Sequence, residues 1–82
     1  MNRAMLLEHL ATALRNVSDG ERHIAQQHQI IASLECDGLD HSAAKAVLLQ
    51  FEELQDMHIA ERDRLKTELL HQFEELQGQK TL

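Results

Sequence analysis

An all-α chain folded as a long, coiled-coil-like antiparallel hairpin of two helices is predicted by three features. Proline is absent from all 82 residues, apolar side chains step by three and four along both halves, and one short break falls at Asp37-Gly38. A chain without proline can run long helices uninterrupted. With two aromatic residues, Phe51 and Phe73, and a composition rich in Leu, Ala, Glu, Gln, Arg and Lys, helix is favoured over sheet. We read one domain over residues 1–82, with helix 1 at about 2–36, the turn at 37–40 and helix 2 at about 41–77.

Asn2 is placed to cap helix 1. Its seam is read as Leu7, Leu10, Leu14, Val17, Glu21, Ile24, His28 and Ile31, a heptad stripe with two polar interruptions. Ala11, Ser18, Ala25 and Ala32 flank it with small side chains. Ser18-Asp19-Gly20-Glu21 resembles a capping box and could break the helix. The heptad phase survives across it, so a continuous helix is expected. Gly38 suits the left-handed position just past a helix end, and Asp40 or Ser42 suits the next N-cap. A link this short forces antiparallel neighbours. The seam of helix 2 is read as Ala44, Leu48, Phe51, Gln55, His58, Arg62, Leu65, Leu69, Phe73 and Leu76.

Setting Ile31 opposite Leu48 fixes the other layers. His28 then meets Phe51, Ile24 meets Gln55, Glu21 meets His58, Val17 meets Arg62, Leu14 meets Leu65, Leu10 meets Leu69 and Leu6 meets Phe73. The polar residues gather mid-hairpin. Glu21, His58 and Arg62 are therefore expected to form a register-fixing polar layer, because sliding the helices would strand their charges. The packing surface is expected to use Leu10, Leu14, Val17, Ile24, Ile31, Leu48, Phe51, Leu54, Leu65, Leu69 and Phe73.

Met5, Ile30, Val47, Leu49, Leu54, Ile59 and Leu70 lie beside or off the seam. A lone hairpin would leave much of this apolar surface exposed. A homodimer, two hairpins packed as a four-helix bundle, covers it and is the leading expectation over a helical hetero-partner or a monomer. The repeated Phe-Glu-Glu-Leu-Gln at 51–55 and 73–77 is offset by six helical turns and reads as one apolar face written twice.

A net charge of −6, from 14 acidic and 8 basic residues, speaks against nucleic acid as a partner. Arg62, Arg64 and Lys66 are interleaved with Glu61, Asp63 and Glu68, the pattern of a salt-bridged helix face. The apolar runs fall short of a membrane span, and neither a secretory signal nor a cysteine pair is evident, so a cytoplasmic location is expected. Six histidines, at 9, 23, 28, 41, 58 and 71, raise the question of metal binding. Their spacing is poor for it: Glu68 and His71 form the only Glu-x-x-His, and no pair stands at i, i+4. Packed or solvated histidines are the simpler reading, as is helix capping for the Cys36, Asp37, Asp40, His41 group. We expect no metal site, no cofactor and no enzymatic activity.

Gly20-Glu21-Arg22-His23-Ile24-Ala25, Glu35 with Asp37-Gly38, Phe51-Glu52-Glu53-Leu54-Gln55 and, above all, Ala60-Glu61-Arg62-Asp63-Arg64-Leu65 carry a resemblance. From about residue 12 to residue 66 the chain resembles short uncharacterised alphaproteobacterial helical-hairpin proteins. Cys36 and Leu39 stand where the group would have more polar residues. The resemblance implies a bacterial helical hairpin and no activity. The function expected is a small interaction or scaffolding module that self-associates through helix packing. The alternative is a metal- or ligand-responsive regulator using the histidines.

Overall fold

A computed structural model describes residues 2–80. Two helices, α1 (Arg3–Cys36) and α2 (Ser42–Lys80), pack side by side as an antiparallel hairpin measuring 69 × 16 × 15 Å. Asn2 opens α1 from an extended conformation, and its Oδ1 accepts from the Met5 amide at 2.8 Å. That satisfies one of the donors a helix N-terminus leaves unpaired. α1 runs unbroken through Ser18-Asp19-Gly20.

The bend is built from backbone hydrogen bonds. The Leu39 amide donates to the Leu34 carbonyl at 2.9 Å, and the Gly38 amide to the Glu35 carbonyl at 3.1 Å. Together they form a Schellman motif, which needs a left-handed residue after the cap. Gly38 supplies it at φ 69°. Asp40 then organises the start of α2: its Oδ1 accepts from the Ser42 amide at 3.0 Å and the Ser42 hydroxyl at 2.8 Å. Those two hydrogen bonds hold the Asp40 carboxyl below its ordinary value. Glu35 and His41 face each other across the bend, Oε1 to Nε2 at 3.3 Å.

The interior is thin. Leu6, Ala13, Val17, Ile31 and Leu65 are the buried apolar side chains among the described residues, joined by Gln27 and Gln55. Leu10, Ile24, Leu48, Phe51 and Leu69 are half-buried between the helices. α1 therefore faces its partner with Leu6, Leu10, Ala13, Val17, Gly20, Ile24, Gln27, Ile31 and Leu34, a heptad that starts from Leu6.

This corrects every second position of the seam read from the sequence. Leu7, Leu14, Glu21 and His28 are exposed, and their predecessors Leu6, Ala13, Gly20 and Gln27 take their places. The physical reason is polar. The expected phase would bury the Glu21 carboxylate, at a cost of several kcal/mol without a well-placed partner. Turning α1 by one residue substitutes a glycine and an amide that can be satisfied. The turn leaves Leu7 and Leu14 nearly half exposed, which forfeits about 1 kcal/mol each. In α2, Ala44 through Leu69 keep the expected phase, but Phe73 and Leu76 are exposed and Gln72 lies on the seam.

Candidate functional site

The helices are keyed by two glutamines. Gln27 donates Nε2–H to the Ala44 carbonyl at 2.9 Å, and Gln55 donates Nε2–H to the Val17 carbonyl at 2.9 Å. One clamp starts from each helix, and each reaches the opposite backbone. The Gln55 amide lies so close over Gly20 that a Cβ there would meet Oε1 and would stand 2.7 Å from Cδ. Gln55 Oε1 is buried without an N–H or O–H partner. A Cα–H of Gly20 is the group nearest to hand, a weak donor of a kind common where helices pack closely. Gly20, which costs about 1 kcal/mol in a helix interior, is thus explained by the side chain laid across it.

The Gln55–Gly20 contact also shifts the register. Gln55 was expected opposite Ile24 and instead meets a residue one turn earlier. Consistently, it is His23 whose ring approaches Phe51, with centroids 5.9 Å apart, and not His28, which is exposed. The polar layer read as Glu21, His58 and Arg62 does not assemble: Glu21 is exposed, His58 is half-buried beside Gln55, and Arg62 pairs with its neighbour Asp63 at 3.0 Å. A neutral amide pair occupies that role. The phase that brings these amides inside was legible in the heptad from Leu6, where small Ala13 and Gly20 alternate with large apolar residues, but the amide contacts themselves were not.

Several surface charges pair with near neighbours on their own helix. Arg64 grips Glu61 through two hydrogen bonds of 2.7 and 3.0 Å, which lower the Glu61 carboxyl and raise the Arg64 guanidinium. Arg22 pairs with Asp19 at 3.1 Å. Among the described residues, no three His, Cys, Asp or Glu side chains are grouped to hold a metal ion, and His71 lies near Glu74 at 3.9 Å on the surface. Among the described residues, no helix is long and apolar enough to cross a membrane.

Two apolar areas flank the seam. Residues one position past the seam share a face: Leu7, Leu14, Glu21, His28 and Glu35 on α1, with Phe73, Lys66, Ile59, Glu52 and Lys45 on α2. At the open end this face forms a groove of about 590 Å³ lined by Leu7, Leu10, Leu69, Leu70 and Phe73 and bordered by Arg3 and Lys66. The other flank carries Leu54, Val47 and Ile30, all exposed, nearer the bend. Of the packing residues read from the sequence, Leu10, Val17, Ile24, Ile31, Leu48, Phe51, Leu65 and Leu69 lie between the helices. Leu14, Leu54 and Phe73 point outward, with exposures of 45%, 49% and 56%. No family model, curated protein or solved structure matches the chain.

Proposed function

We propose that this protein is a small, non-enzymatic interaction module that self-associates through the apolar flanks of its hairpin, forming a four-helix bundle in the cytoplasm. The observation that carries the reading is the imbalance of its surface. A compact monomer of 9.4 kDa would expose about 5,000 Å², whereas the hairpin exposes 6161 Å². The excess of about 1,100 Å² is comparable to the roughly 800 Å² each partner contributes to a stable protein–protein interface. Much of it is grease: Leu7, Leu14, Leu54, Leu70 and Phe73 are each at least 45% exposed.

Contiguous exposed apolar residues of this kind mark interaction sites. A second copy of the chain is the partner that every cell making the protein supplies, and closed two-fold dimers are the commonest assembly. Light scattering on the purified chain tests the reading. A mass of twice 9.4 kDa at micromolar concentration is expected, and a 9.4 kDa particle at every concentration up to about 1 mM overturns it.

A further inference from the structure

We infer that the groove at the open end is a binding site for a single-chain anionic amphiphile, a long-chain carboxylate. The groove is complete within one hairpin. Leu10 and Leu69, half-buried between the helices, form its floor. Leu7, Leu70 and Phe73, which are 47%, 61% and 56% exposed, form its walls. Arg3 and Lys66 stand at its border, and every other lining residue is apolar. At about 590 Å³ it has the size of a small-molecule site.

Charge decides the class of ligand. With 14 acidic and 8 basic residues, the field of the whole chain favours cations. The groove runs against that field. No acidic residue lines it, and among the described residues neither Arg3 nor Lys66 forms an ion pair. Asp63, one turn before Lys66, is taken by Arg62. Glu75 lies beyond Arg3, in a separate depression with Gln72 and Leu76. The two cations come from opposite helices. At the register set by Gln55 over Gly20 and Phe51 beside His23, Leu7 is level with Lys66, and Arg3 lies about one turn nearer the open end. Their stems extend the apolar walls while the charged heads stay in water. A carboxylate at the rim therefore meets a guanidinium from α1 or an ammonium from α2, and its tail lies on leucine and phenylalanine. A neutral or cationic amphiphile gains the apolar contact alone. Leu14, Leu54, Val47 and Ile30 lie outside the groove and stay available to a second copy, so the site does not depend on self-association.

Calorimetric titration of the full chain with laurate, kept below its micelle range, tests the site. Dodecyltrimethylammonium, a tail of similar length under the opposite charge, is the comparison. One laurate per chain is expected, with a dissociation constant on the order of 100 µM. The cationic amphiphile should bind about ten-fold more weakly, although the net charge of the chain attracts it. The double variant Arg3→Gln, Lys66→Gln alters exposed side chains only, so the hairpin should keep its fold. It should weaken laurate on the order of ten-fold and erase the preference. Phe73→Ser, also at an exposed position, should weaken both amphiphiles and so locate the tail. Equal or tighter binding of the cationic amphiphile overturns the site, as does laurate binding that the double variant leaves unchanged. So does the lack of saturable laurate binding up to about 1 mM, whether or not a second copy covers the groove. Self-association is read separately, from the mass of the unliganded chain, and stands or falls by that.

Discussion

Replacing Gly20 with alanine ought to stabilise an ordinary helix interior by about 1 kcal/mol. Here the new Cβ would occupy the place of the Gln55 amide. Gln55 can swing away, because only the tip of a flexible side chain is struck. Doing so breaks its bond to the Val17 carbonyl, worth about 1 kcal/mol net, and leaves a polar group in the interface at about 1–3 kcal/mol. The balance for Gly20→Ala is a loss of about 1–3 kcal/mol. In a Gln55→Ala background the three atoms nearest to a new Cβ at Gly20 are gone, and the same substitution should gain about 1 kcal/mol. The sign therefore reverses, with a coupling energy of about 2–4 kcal/mol. Urea denaturation of the four proteins, followed by far-ultraviolet circular dichroism at one fixed concentration, measures the cycle. If Gly20→Ala stabilises both backgrounds alike, Gln55 does not lie over Gly20 and the account of the register is wrong.

Other perturbations separate the interior from the surface. Leu65→Ala should cost about 2–4 kcal/mol, because Leu65 is 1% exposed, and Met57→Ala, at 68% exposure, should change stability by less than about 0.5 kcal/mol; equal effects in thermal melts would contradict the packing. Gly38→Ala forces a side chain into the left-handed region and should cost about 1–2 kcal/mol, with Gly38→Asn costing less, as denaturation midpoints would reveal. Asp40 has a folded value lowered by its two bonds from Ser42, so its contribution is present above the ordinary carboxyl value of 3.8 and is lost as pH falls through the lower folded value. The stability gap between the parent and Asp40→Ala should thus be open at pH 6 and narrow near pH 3; a gap that persists unchanged in acid would show that the carboxylate is not the cap.

The hairpin itself was legible because its signals are local and agree with one another. Asn2, Gly38 and Asp40 each suit one backbone position, and a proline-free heptad leaves few other folds. The phase of α1 was harder to see. Large apolar residues at 7 and 14 and at 6 and 10 offer two stripes one residue apart, and size alone favours the stripe containing both Leu7 and Leu14. What selects the other stripe is the middle of the helix. Gly20 and Gln27 can enter the interface satisfied, whereas Glu21 and His28 would bring ionisable groups into it. Register followed phase. With Ile31 set opposite Leu48, Glu21 fell opposite His58 and the pairing moved by one turn. The glutamine clamps could not be read from spacing, since an amide on a seam looks like an interruption until the carbonyl opposite it is known.

Phe51 decides between these alternatives most directly, because one ring reports the phase and the register together. Nuclear Overhauser contacts from the Phe51 ring should reach the His23 ring, whose centroid lies 5.9 Å away, and should leave His28 without a cross-peak. Cross-peaks from Phe51 to His28, with none to His23, would place α1 in the other phase and contradict the structure of the hairpin described above.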